Sequence, residues 1–242
     1  MSTATATPGR GIDVHPRLLD ALGEEIASGR LAEGQVLTLD AIMTSYDVSR
    51  SVAREAIRVL ESMGLVAPRR RVGITVQPRT QWNVFDPRLI RWRLEAGDRG
   101  QQLISLSELR CGFEPVAAAL AAQRADAEQC RRLAAAVSDM VVTGRQEDLD
   151  SYLEADQFFH RTLLEASGNE MLRALSSVVD AVLEGRTHHD LMPRRPNPEA
   201  IALHDTVARA VRDGDAATAE AAMRSIIEEA AAALADEQAS QG

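Results

Sequence analysis

The chain has 242 residues, 45% of them apolar and 3% aromatic, with a formal charge of −9. That length and composition suffice for two cored domains, and no apolar run approaches the roughly 18–20 residues of a membrane-spanning helix. Residues 1–78 hold nine Arg and nine acids, so the acidic excess falls beyond them, where 18 Arg face 27 acids.

Residues 1–11 read as a disordered tail without the apolar stretch of a signal peptide. A first helix is predicted from Pro16 to Ser28, with Leu18, Leu19, Leu22 and Ile26 inward and Gly29 past its end. Gly34 turns the chain into a second helix, Asp40 to Tyr46. Asp47-Val48-Ser49 breaks the pattern, and Ser49 is a good N-cap for a helix starting at Arg50 and ending at Gly64. Ala53, Ala56, Ile57, Leu60 and Met63 make its apolar face, while Arg50, Arg54 and Arg58 recur every four residues on another. Leu65-Val66 and Ile74-Thr75-Val76 then bracket Pro68–Gly73, the pattern of two short strands with a basic tip.

A helix, a turn, an arginine-bearing helix and a basic hairpin together predict a winged helix-turn-helix that binds duplex DNA, over residues 12–78. A helix fits the major groove, and arginine can grip a guanine edge with two parallel hydrogen bonds or clamp a phosphate. Arg50 and Arg54 are assigned to the groove, and Arg58, Arg69, Arg70 and Arg71 mainly to phosphate. Ser51 and Gly73 complete the expected DNA-binding set. The competing reading is an amphipathic core helix with solvated arginines beside an ordinary hairpin. Six Arg between Arg50 and Arg71 stand against only Glu55 and Glu61, and local charge decides a DNA footprint.

Residues 79–86 read as a linker. Beyond it helical segments are predicted near 87–96, 101–124, 126–143, 148–167, 169–187, 198–213 and 215–236, separated by Gly, Asn and Pro breaks. With no strand among them and short connections, residues 87–238 are expected to form an all-α bundle. The fold class is therefore mainly α, a winged helix-turn-helix followed by a helical bundle. Cys111 and Cys130 both lie in predicted helices and make no disulfide framework, which suits a reducing cytoplasm.

Val48-Ser49-Arg50, Ala53-Arg54-Glu55-Ala56-Ile57, Leu60, Gly64-Leu65, and Gly73 with Val76 resemble the first-domain signature of the GntR family of bacterial transcription regulators. Leu109-Arg110, Glu114-Pro115, Asp156 with His160, Ala166, Gly168-Asn169, His204 and Gly214-Asp215 resemble the helical FCD domain of its FadR-like branch. Gln81-Trp82-Asn83 and Asp86 are similar to the galactonate-operon repressors of sugar-acid metabolism within that branch. The resemblance covers about residues 14–236.

It implies a homodimeric regulator, most often a repressor, that binds a palindromic operator and is released by a small organic acid. It places Arg110 in the ligand cavity, where a guanidinium can hold a carboxylate; Glu114 and Arg186 join it as expected effector-binding residues. For Arg110 the alternative is a salt bridge to Glu114. His188 and His189, beside Arg186, read more readily as an exposed loop. The resemblance also implies a divalent metal ion, zinc or similar, on Asp156, His160 and His204, with Ile226 where a fourth ligand would stand. The alternative is a hydrogen bond between Asp156 and His160 beneath His204, without an ion. One departure concerns the second helix: Leu37-Thr38-Leu39-Asp40-Ala41-Ile42 carries an acid where family members commonly carry a backbone-contacting arginine. Two other functions stay open, a metal-dependent hydrolase or lyase using Asp156, His160 and His204, and a DNA-binding protein with no ligand.

Overall fold

The computed structural model describes residues 14–97, 99–188 and 195–241. The expected tail of residues 1–11 and His189 lie outside the described residues. Two compact units are present, Met1–Asp98 and Arg99–Gly242.

The first unit runs α1 (Val14–Ala27), β1 (Val36–Leu37), α2 (Leu39–Tyr46), α3 (Arg50–Ser62), β2 (Val66–Arg69), β3 (Gly73–Val76) and α4 (Pro87–Glu95), with a 3-10 turn at Arg79–Gln81. Each helix of the pair α2 and α3 starts on a hydroxyl: Thr38 Oγ1 accepts from the Ala41 amide at 3.1 Å and Ser49 Oγ from the Val52 amide at 3.4 Å. At Gly64, φ is +75° and an added Cβ would lie 2.2 Å from the Gln81 carbonyl oxygen, so only glycine fits the turn out of α3. The antiparallel sheet has the order β1-β3-β2, with Val66 opposite Val76 and Val36 opposite Thr75. β1 was not anticipated. Its two residues are too few to show an alternating pattern, and backbone bonds from Gly34 to Val76 and from Val76 to Gln35 hold the segment in place.

Leu18, Leu19, Leu22, Ile26, Ala53, Ala56, Leu60, Leu65, Val76 and Trp82 form the first core, and each fully buried leucine contributes about 1.5–3 kcal/mol. Leu89 and Trp92 of α4 belong to the same core. This corrects the domain division expected from the sequence, which gave residues 87 onward to the bundle. The Trp92 indole donates to Asp20 Oδ1 at 3.0 Å, and its ring lies against Gly23, where an added Cβ would come within 2.4 Å. Helical periodicity predicts α4 but carries no information on which core receives it.

The second unit is wholly helical among the described residues: α5 (Arg99–Arg124), α6 (Ala127–Gln146), α7 (Leu149–Ala166), α8 (Glu170–Ala174), α9 (Ser176–His188), α10 (Pro198–Asp213) and α11 (Ala216–Gln241). The predicted helix 169–187 is two helices divided at Leu175. The boundaries follow the capping chemistry. Asp126 and Gln129 form a reciprocal capping box at α6, Asp148 and Asn197 cap α7 and α10, and Gly214 closes α10 in the left-handed region. α5 packs along α11, α6 along α7, and α10 against α11 and α6. Small residues such as Ala118, Ala121, Ala219 and Ala222 line these contacts around Phe159, Leu163 and Met223. No helix among the described residues is long and apolar enough to cross a membrane.

Candidate nucleic-acid interface and effector cavity

On α3 the apolar face Ala53, Ala56, Ile57 and Leu60 is buried while Arg50, Ser51, Arg54 and Arg58 are exposed on the opposite side. Arg50 Nη1 lies 3.4 Å from Asp40 Oδ1 on α2, and Arg58 Nη1 lies 3.2 Å from Glu55 Oε2. Such exposed pairs add little to stability. The hairpin between β2 and β3 carries exposed Arg69, Arg70 and Arg71 at its tip, with Arg71 at a φ of +64°. Gly73 is half-buried, and an added Cβ would lie 2.7 Å from the Leu37 carbonyl oxygen. Its place in the expected set is thus to let β1 approach the wing, not to offer a side chain.

In the second unit, residues from α5, α7, α9, α10 and α11 surround a cavity of about 220 Å3. Arg110, Tyr152, Asp156, His160, Arg186 and His204 all face it, together with the Ile226 side chain. Pockets for drug-sized ligands span about 300–1,000 Å3, so this one suits a smaller metabolite.

Glu114 does not line the cavity. It is fully buried behind Arg110 and His160, with Oε1 paired to Arg110 Nε and Oε2 lying 2.5 Å from His160 Nδ1. Burial alone would raise its pKa, but Arg110 and then His160 outweigh that and hold its carboxyl at about 2. The expected Arg110–Glu114 salt bridge and the expected cavity position of Arg110 are both present, because the guanidinium spans the two. Glu114 supports the wall from behind and offers no atom to the cavity.

Asp156 and His160, four residues apart on α7, meet His204 from α10. Asp156 Oδ1 lies 3.4 Å from His160 Nε2 and 3.3 Å from His204 Nε2. Despite these distances the alignment is not that of hydrogen bonds, since Asp156 Oδ1 and His204 Nε2 are buried atoms without a hydrogen-bond partner among the described residues. The outer nitrogens explain why. His204 Nδ1 lies 2.7 Å from the Ala200 carbonyl and His160 Nδ1 faces Glu114, so each ring can donate outward and turn its Nε2 lone pair inward. Burial lowers the His160 pKa, yet Glu114 and Asp156 lift it to about 9, so a bound ion would have to displace the Nε2 proton. His160 and His204 in turn hold Asp156 well below the usual carboxylate range against its burial.

The donor set fits a divalent ion. Ligand distances of about 2.0–2.2 Å imply neighbouring donors roughly 3.0–3.4 Å apart, which matches the two separations from Asp156. All three donor atoms lie within 4.8 Å of one another. Ile226 also faces the cavity and offers no donor atom, so any bound ion would keep an open side.

Arg186 is half-buried on the same cavity, and its Nε is among the buried polar atoms with no partner in the described residues. Burial, then the like charge of Arg110, lowers its pKa. His188 ends α9, and its side chain lies outside the described set. The sequence reading missed Tyr152, Asn197 and Glu229. Tyr152 is buried on the cavity wall with its hydroxyl pKa pushed up by burial and Asp156. Asn197 Nδ2 donates to Glu229 Oε1 at 2.8 Å across the cavity rim. A lone tyrosine on an apolar stripe and an asparagine that also caps a helix carry no sequence signal of such a role.

A winged helix-turn-helix unit in one chain with a helical unit built around a charged cavity is the architecture of a DNA-binding transcriptional regulator. Residues 16–76 match the bacterial regulatory proteins of the gntR family, and residues 105–240 match the FCD domain. The chain belongs to the GntR family, in its branch with an FCD second domain. It is 31% identical over 206 residues to the galactonate operon transcriptional repressor of Escherichia coli, covering 83% of this chain and 89% of that one. It is 30% identical over 204 residues to the transcriptional regulator LutR of Bacillus subtilis, covering 82% and 90%. The E. coli McbR/YncC structure shares the fold, with a TM-score of 0.56 at 16% identity over 94% of this chain and 99% of that chain. Family and relatives are transcription regulators, which removes the hydrolase or lyase reading.

Proposed function

We propose that this regulator is a homodimeric repressor that a small hydroxylated organic acid, of the sugar-acid class, releases from a palindromic operator. Two copies would set two α3 helices against half-sites related by two-fold symmetry. Arg50 and Arg54 reach base edges, while Arg58 and the wing arginines hold phosphate. The observation that carries the sensor reading is a cavity where buried Asp156 Oδ1 and His204 Nε2 stand 3.3 Å apart without hydrogen-bond geometry, beside a half-buried arginine. Buried polar atoms left without a hydrogen bond cost up to roughly 1–3 kcal/mol each, and an occupant of the cavity that bonds them relieves part of that cost.

Asp156, His160 and His204 are the residues that would hold a divalent ion, and the ion would supply a Lewis-acidic anchor for a carboxylate or hydroxyl oxygen. The chain's own groups suit an acid of this kind. Arg110 and Arg186 offer guanidinium donors to a carboxylate, Tyr152 and Asn197 can pair with hydroxyls, and Ile226 and Leu183 receive the carbon backbone. The relative named as a galactonate operon repressor supports the sugar-acid class. A coupling of about 1–3 kcal/mol between cavity and DNA face, or roughly 5–150-fold in affinity, is enough for a switch.

The test is thermal shift of the whole protein against aldonic acids and dicarboxylates, with and without zinc, followed by DNA release. A sugar acid is expected to raise Tm and to free the bound duplex. Arg186→Ala should abolish both responses while leaving DNA affinity within about threefold, because Arg186 has no ion pair among the described residues whose loss would perturb the fold. No Tm change with any acid would favour a DNA-binding protein without a ligand.

A further inference from the structure

We propose that Asp40 is a specificity-determining residue of the DNA-binding face, holding the Arg50 guanidinium toward base edges while repelling the phosphate backbone. The inference rests on the DNA-binding reading of α2 and α3. The geometry is local and simple: Arg50 Nη1 donates to Asp40 Oδ1 at 3.4 Å, between a side chain 61% exposed and one 83% exposed. So open a pair does little for folding, and its effect must be sought where DNA would lie.

Two features give the pair direction. Arg50 opens α3, whose first turn contains no acid, so a guanidinium sits at the positive end of that helix dipole. Asp40, in the first turn of α2, supplies the negative charge that α3 lacks. Thr38 and Ser49 cap the two helices, which fixes the backbone from which both side chains project. An arginine has five N–H donors in a rigid fork, so one contact with Asp40 orients the plane and leaves donors free for a guanine edge.

In a helix-turn-helix the first helix crosses the backbone while the start of the second reaches bases. A carboxylate on α2 therefore meets phosphate on every duplex, whatever its sequence, and weakens binding without discrimination. A guanidinium already held by that carboxylate gains less from phosphate than from a base edge. Together the two effects lower affinity for arbitrary DNA and raise the ratio of cognate to arbitrary binding. Arg58 is similarly engaged by Glu55, whereas Arg54 has no ion pair among the described residues.

The experiment measures full-length protein by fluorescence anisotropy on a duplex enriched by the wild type from a random-sequence pool and on a scrambled duplex of equal composition. Asp40→Asn is expected to tighten scrambled-duplex binding about three- to tenfold, to steepen its salt dependence by about one released ion, and to change enriched-duplex affinity by less than about twofold. Asp40→Glu keeps the charge and should keep the ratio near wild type. Melting temperature should not move in either variant, which separates this role from a structural one. If the wild type enriches a duplex and Asp40→Asn leaves the ratio and salt slope unchanged, this inference alone is overturned. If the wild type enriches no duplex, the DNA-binding reading fails and this inference with it.

Discussion

Glu114→Ala is expected to cost the helical unit about 3–5 kcal/mol, the usual penalty for breaking a buried ion pair by removing one partner. The residue is fully buried and its two oxygens serve two different groups, Arg110 and His160. Removing it leaves the Arg110 guanidinium in the interior without its compensating charge and frees His160 Nδ1 from the acceptor that orients it. Glu114→Gln keeps the shape and one acceptor and should lose less. The two tryptophans, Trp82 and Trp92, both lie in the first unit's core, so fluorescence follows that unit while far-UV circular dichroism is dominated by the helices of the second. In urea, Glu114→Ala should move the dichroism transition and leave the fluorescence transition in place. Coincident, unshifted transitions would contradict the bridging role. The sign with pH follows from the depressed pKa. The carboxylate's contribution is complete above its ordinary value of 4.5 and is lost as pH falls toward about 2. Glu114→Gln should flatten stability across that window.

Arg54→Ala is expected to cost about 1–3 kcal/mol on the cognate duplex and to relax preference at one or two base positions. Arg70→Ala should weaken cognate and scrambled duplexes alike and reduce the salt slope by about one. The difference comes from position. Arg54 projects from the exposed face of α3 with no ion pair among the described residues, whereas Arg70 stands on the hairpin tip, where phosphate is the nearer partner. Binding isotherms on both duplexes at several salt concentrations separate the outcomes. Equal losses from both substitutions on both duplexes would end the division between base and phosphate contacts.

Much of the first unit was legible because its signals are local. Ser49 before Arg50, the apolar face of α3 and the basic turn between two short strands each occupy a few consecutive residues. β1 escaped because its place in the sheet depends on β3, some forty residues later. α4 was visible as a helix, but its partner was not, since nothing in its own spacing says that Trp92 fits against Gly23. The cavity was legible in part. Asp156 and His160 share a helical face by spacing alone, whereas His204 and Arg110 came only through family likeness. That Glu114 serves Arg110 and His160 together could not be read, because a four-residue spacing shows the first contact while the second joins α5 to α7. Tyr152 and Asn197 became cavity residues only through packing.

The seating of Trp92 over Gly23 bears on where this chain can usefully be cut. A fragment stopped at the end of the wing, or in the stretch just after it, would strip the cover from α1, leave Asp20 without its indole donor and wet a notch shaped for an aromatic ring. A self-sufficient DNA-reading fragment needs the whole of α4, which carries Leu89 and Trp92, although every arginine that would touch a duplex comes earlier in the chain.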